Sequence, residues 1–248
     1  MCEVYIYPKN NNLYAVEFLG IPGSGKTYLS REVAKDLIVR GYKVFEITER
    51  IANLTDFQRF IIKLSYVSYE LLLHLRLSMR MIMVLSRVRY KKFWRLFKVG
   101  FNWFFLASIT RRMLRSKDHC LYLLDQGIFQ AIWSINFEVK NIKYKDDFNR
   151  AILKLYSWLF SRPMVVIVIN VKDDTLIRRL RDRKFGHSPL DRYLFPDLLN
   201  AQNALDTVKA LAFSIIANHP GLSIISVNNN NKDELRKAVQ QIYEHISR

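Results

Sequence analysis

Five apolar runs recur along the chain, separated by stretches with helical spacing. Residues 13–19 (LYAVEFL), 43–48 (KVFEIT), 119–125 (HCLYLLD), 164–171 (MVVIVINV) and 222–227 (LSIISV) read as strands. They lack the strict apolar–polar alternation of a half-exposed sheet, as expected of parallel strands covered on both faces. Between them, residues 27–40, about 128–138 and 147–161, about 173–183, 197–217 and 232–246 carry helical patterns. Gly41 closes the first helix, and HSPLDRYLFP reads as a loop. Strand–helix alternation of this kind predicts an α/β fold, a parallel five-stranded sheet with helices on both faces.

One segment breaks the rhythm. Residues 50–117 fall between the second and third strands and read as helical throughout, an inserted cap within one domain spanning 1–248. The chain has a formal charge of +17, and residues 50–115 alone hold 14 Lys and Arg against 2 acids. Arg76, Arg80, Arg87, Lys91, Arg95 and Lys98 are spaced to share one stripe of a continuous helix. Such a concentration speaks to anionic partners rather than to the fold. The partners left open are a small anionic substrate and peripheral contact with an anionic membrane, with nucleic acid behind them. Trp94, Phe97, Phe101, Trp103, Phe104 and Phe105 suit either insertion at a lipid interface or a seam docking the cap onto the core.

Composition narrows the class. Half the residues are apolar, which excludes a disordered chain. Two cysteines, Cys2 and Cys120, cannot build a disulfide framework and lack metal-site spacing. A reducing cytosol is the expected compartment. The first dozen residues lack the pattern of a secretory signal, and no uncharged apolar stretch is long enough to span a bilayer.

The chemistry enters at the end of the first strand. Gly20-Ile21-Pro22-Gly23-Ser24-Gly25-Lys26-Thr27 satisfies G-x-x-x-x-G-K-[ST], the Walker A phosphate-binding loop. The glycines let backbone N–H groups converge on a phosphate, and the following helix adds its positive end. Lys26 is placed to reach the β- and γ-phosphates and Thr27 to bind Mg²⁺. A chance match in a chain of this length occurs on the order of once in a hundred. The strand before it and the helix after it are the context the motif requires.

Three further readings follow. Asp125 ends the third strand, where a parallel sheet opens its ligand crevice. It is a candidate for holding Mg²⁺ or accepting a hydroxyl proton, or else it caps the next helix. Glu46 and Glu49 are rival bases. Arg178, Arg179, Arg181, Arg183 and Arg192 cluster after the fourth strand, as a lid that stabilises phosphate charge would, or as a solvated helix face would.

Taken together, GIPGSGKT, LYLLD, INVKDDTLIRRLRDR and NNNNKDELRKAVQQIYEHI resemble the thymidylate-kinase-like branch of small P-loop kinases, over residues 13–48 and 119–247. The resemblance implies ATP and Mg²⁺ as cofactors, an ATP lid carrying Arg179, Arg181 and Arg183, and a place for Asp125 in the active site. Gln126 stands where such kinases usually carry an Arg that holds substrate phosphate, and residues 50–117 match nothing in the family. The expected activity is transfer of the γ-phosphate to a nucleoside-like, nucleotide-like or sugar-like acceptor. An NTP-hydrolysing switch and a kinase for a nucleic-acid end or membrane-linked acceptor remain alternatives. No guanine-recognising N/T-K-x-D sequence is present.

Overall fold

The computed structural model describes residues 15–46, 54–86, 89–90, 93–115, 120–141, 151–152, 155, 163–182, 195–217, 219 and 221–247. Strand β1 (Ala15–Leu19) runs into the glycine loop and helix α1 (Lys26–Val39). Strand β2 (Val44–Glu46) leads to α2 (Asp56–Leu73), α3 (Leu75–Ser86), the two-residue β3 (Arg89–Tyr90) and α4 (Phe93–Arg115). Then come β4 (Leu121–Leu124), α5 (Ile128–Glu138), β5 (Val139–Asn141), β6 (Met164–Asn170) and α6 (Asp173–Arg181). Helix α7 (Phe195–Ile216), β7 (Leu222–Asn228) and α8 (Lys232–Ile246) complete the order.

The main sheet has the order β2-β4-β1-β6-β7, and every pairing in it is parallel. Two-sided burial explains the unbroken apolar strands. Ala15 and Leu19 of β1, with Met164, Val166 and Val168 of β6, face one core. Val16 and Phe18, with Val165, Ile167 and Ile169, face the other. The first core is covered by α4, α5 and α7, the second by α1 and α8. Each fully buried Phe, Leu or Ile stabilises the fold by about 1.5–3 kcal/mol. This is the α/β architecture expected, with eight helices among the described residues. The 147–161 helix lies almost wholly outside them.

Among the described residues the insertion comprises three helices, α2, α3 and α4. Thr55 starts α2 with a capping box: its side chain accepts from Gln58 N, and Gln58 Oε1 accepts from Thr55 N. At His74 the chain turns into α3. Beyond Ser86, Arg89 and Tyr90 pair antiparallel with β5 in a second, two-stranded sheet. That pairing interrupts the helical run, so the six cations do not share the stripe of one helix. Arg76 and Arg80 belong to α3 and Lys98 to α4. Arg87 and Lys91 lie outside the described residues.

Trp103, Phe104 and Phe105 are buried in the core that spans the sheet and the insertion. They form the docking seam and are unavailable to a lipid interface. The side chain of Trp94 lies outside the description. Glu70, fully buried on α2, pairs with Arg111 of α4 at 3.0 Å, tying the two helices together. Among the described residues, no helix is long and apolar enough to cross a membrane.

Candidate active site

The loop between β1 and α1 opens at the C-terminal edge of the sheet, between β4 and β6. Gly23 and Gly25 have φ of 94° and 87°, a region that L side chains rarely adopt. A Cβ on Gly23 would come within 2.8 Å of Leu176, so α6 also packs directly on the loop. Pro22 is half-buried within it. Gly25 is the N-cap of α1 and offers no side-chain cap. The first turn of α1 is therefore open to an anion. The Ser24 hydroxyl is fully buried and has no hydrogen-bond partner among the described residues. Lys26 Nζ donates to the Gly20 and Ile21 carbonyls at 2.5 and 3.1 Å, which lays its ammonium along the loop.

Thr27 and Asp125 come together. Thr27 Oγ1 donates to Asp125 Oδ2 at 3.1 Å across a separation of 98 residues. Asp125 is buried at the end of β4, beside the loop. A hydroxyl and a carboxylate are the hard oxygen donors that Mg²⁺ prefers. The glycine cradle, the open helix end and this pair thus fit Mg²⁺ with a polyphosphate.

Of the rival acids, Glu46 is half-buried at the end of β2 and accepts from Ser30 Oγ of α1 at 3.1 Å. Glu49 lies outside the described residues. So do Arg183 and Arg192 of the arginine cluster. Arg179 reaches the loop, its Nη1 donating to the Ser24 carbonyl at 3.4 Å. Partial burial, and then the neighbouring Arg178, pull its guanidinium below the usual arginine range. Arg178 and Arg181 are exposed. Leu176 of the same helix is fully buried, so the base of α6 is part of the core. Asp173 and Asp174 at its start and Arg178, Arg179 and Arg181 at its end complement the helix dipole.

Three residues that support the loop escaped sequence reasoning. Glu17 sits in the middle of β1, on the face shared by Ala15 and Leu19, and is completely buried. Its Oε2 accepts from Ile128 N at 3.0 Å and its Oε1 from Gln130 N at 2.9 Å, at the start of α5. Burial pushes the carboxyl up to about 8, opposed by these backbone donors. Gly127 packs against this carboxyl so closely that a Cβ there would overlap it. Gln130 in turn accepts from Gly20 N through Oε1 at 3.2 Å. Glu17 thus joins the first turn of α5 to the loop through one intermediate side chain. The signal was present as a lone acid in LYAVEFL, because a charge inside a two-sided buried strand demands a partner.

The third is Asn229. Its Nδ2 donates to the Ser24 carbonyl at 2.8 Å, clamping the loop from the far end of the chain. The run Asn228–Asn231 looks like low complexity, yet its members have separate tasks. Asn230 accepts from Lys172 N at 2.6 Å and donates to Glu234. Asn231 caps α8, accepting from Asp233 N and Glu234 N.

No protein-family model matches this chain, and no curated protein does. Among solved structures it is similar to shikimate kinase from Bacteroides thetaiotaomicron, at 14% identity and a TM-score of 0.41, over 94% of this chain and 98% of that one. It is also similar to thymidylate kinase from Candida albicans, at 12% identity and a TM-score of 0.48, over 95% of this chain and 91% of that one. By the order and direction of its strands and by the loop that follows the first of them, the chain has a parallel α/β fold with a P-loop.

Proposed function

We propose that this protein is an ATP-dependent phosphotransferase that moves the γ-phosphate to a hydroxyl or phosphate oxygen of a small acceptor. The observation that carries the reading is the Thr27–Asp125 hydrogen bond at the mouth of an uncapped glycine loop. It joins a Walker A hydroxyl to a buried acid from the neighbouring strand.

The roles follow from position. Backbone N–H groups of the loop and the open end of α1 bind the phosphates of the nucleotide. Lys26 turns from the Gly20 and Ile21 carbonyls to the phosphate oxygens, and Arg179, held at Ser24, adds charge from the side of α6. Arg181 and Arg183 are proposed to follow from the segment beyond. Thr27 and Asp125 would hold Mg²⁺, which neutralises phosphate charge when bound. The acceptor oxygen attacks the γ-phosphorus as the bond to the bridging oxygen of ADP breaks. A hydroxyl acceptor's proton passes to a carboxylate at this edge, for which Asp125 and Glu46 are the described candidates. The helices between β2 and β4 cover the acceptor side, since both strands end at the same edge of the sheet. Gln126 in place of an arginine favours an acceptor whose own phosphate, if it has one, is held elsewhere.

The test is ADP release by the purified chain across nucleosides, nucleotides, sugars and nucleic-acid ends. Release that depends on one acceptor class, and is lost in Lys26→Ala, supports the reading. Hydrolysis at the same rate with and without every acceptor would replace it with the switch alternative.

A further inference from the structure

The outward faces of the insertion are built unlike the solvent faces of ordinary helices. In α3, Leu77, Ser78, Met81, Val84 and Leu85 are buried, as the inner face of an amphipathic helix should be. The opposite face should then be polar. Instead it carries Leu75, Met79, Ile82 and Met83, all exposed, at the i, i+4, i+7, i+8 positions of one stripe. Arg76 and Arg80 border that stripe on one side. The corner with α2 continues it: Leu72 is 80% exposed, Leu73 61% and Leu75 63%. Six large aliphatic side chains therefore stand in water within twelve residues of chain.

Along this stretch of the sequence the charge has one sign. Residues 71–115 hold eleven lysines and arginines and no aspartate or glutamate. The acid Glu70 just before them is buried against Arg111 and does not reach the surface. Nearby on α2, burial first and then Lys98 and Arg59 pull the Lys63 ammonium below the usual lysine range.

We infer that the α2–α3 corner and the outer face of α3 form a docking surface for an anionic lipid bilayer. Leu72, Leu73 and Leu75 would enter the headgroup–acyl boundary, and Arg76 and Arg80 would meet lipid phosphates. A second copy of the chain is a poorer occupant. A two-fold contact would set these arginines against their own copies. Nucleic acid is poorer as well, because leucine, isoleucine and methionine offer bases no stacking platform. A bilayer takes both chemistries at once, aliphatic insertion beside cationic contact. None of these residues is among those placed around the phosphate loop, so the inference stands apart from the proposed reaction.

The experiment is flotation of the full chain with phosphatidylcholine vesicles, with and without phosphatidylserine. The chain should float with the anionic vesicles only, less as salt rises. Leu72→Ser/Leu73→Ser/Leu75→Ser should lower partitioning by tenfold or more. Arg76→Gln/Arg80→Gln should lower it about 30-fold, from about 1 kcal/mol per cation at an anionic surface. Both variants should keep the wild-type circular dichroism and melting temperature, because every changed side chain lies outside the buried core. Absence of flotation at low salt would overturn the inference, as would folded variants that float like the wild type. A wild-type dimer that becomes monomeric in the leucine variant would assign the surface to self-association instead. Lipid-independent binding of a single-stranded oligonucleotide, lost in the same variants, would assign it to nucleic acid.

Discussion

Around the loop after β1, polar groups are answered from far along the chain: Gly20 N by Gln130, the Ser24 carbonyl by Asn229 and Arg179, Thr27 by Asp125. Across the outer side of α2 and α3, apolar groups stand exposed to water. The first region spends side chains on holding a shape. The second leaves side chains outside the shape altogether. Burying a polar group is tolerated only when it is paired, so a loop this well answered is a rigid feature. Exposed aliphatic stripes add nothing to folding stability, so their reason lies outside the folded chain.

The contrast breaks at different strengths in different places. The largest effect should fall on chemistry. Asp125→Asn is expected to lower turnover by about 10²–10⁴-fold with nucleotide affinity largely kept, read by steady-state kinetics. A drop in melting temperature with unchanged turnover would make Asp125 a helix cap and no more. Lys26→Ala should lower phosphoryl transfer by about 10²–10³-fold, as loss of one preorganised charge contact does. Its fold should survive, since the hydrogen bonds from Lys26 to the Gly20 and Ile21 carbonyls lie within the loop itself.

Next comes the support beneath the loop. Gly127→Ala forces a methyl group onto the Glu17 carboxyl and should destabilise by about 1–3 kcal/mol in denaturant unfolding, as overpacking does. Asn229→Ala leaves the Ser24 carbonyl to the weaker Arg179 contact. It should cost about 1 kcal/mol and weaken nucleotide binding together with stability.

Glu17 gives a pH signature. Its carboxyl titrates near 8 when folded, against an ordinary value of 4.5. Between those values the folded chain holds a proton that the unfolded chain releases, so stability falls as pH rises across that window and levels off above it. Glu17→Gln should flatten this stretch of the stability curve. A wild-type curve already flat from pH 5 to 8 would refute the assignment. The smallest effect belongs to the insertion: Leu72→Ser or Leu75→Ser should shift unfolding by no more than about 0.5 kcal/mol. A larger loss would mean that these leucines are packed, and the contrast between the two regions would collapse.

Much of the sheet was legible because buried parallel strands leave long apolar runs, and MVVIVINV can hardly be anything else. The loop was legible because phosphate binding needs glycines and a lysine at fixed spacing. What stayed hidden was pairing across distance. Nothing local in Asn229 tells that its amide will meet Ser24, and four asparagines in a row read as filler. The break in the insertion was hidden for the same reason: Arg89 and Tyr90 leave the helical pattern to pair with residues fifty positions away. Glu17 is readable in the sequence, since an acid in an apolar strand signals a buried partner.

The placement of β1 has a further consequence during synthesis. The strand and its loop are made first, yet their hydrogen-bonded neighbours β4 and β6 come much later, and Asn229 follows Ser24 by 205 residues. At about 5–20 residues per second, roughly 10–40 s separate the emergence of Ser24 from that of its clamp. For that interval the glycine segment is an open stretch of peptide, free to sample turns unsuited to a phosphate. A ribosome-bound fragment ending before β6 lacks one wall of β1 and should not retain nucleotide. The finished chain therefore gains its ligand late, and nucleotide binding reports completed translation better than the appearance of the glycine motif does.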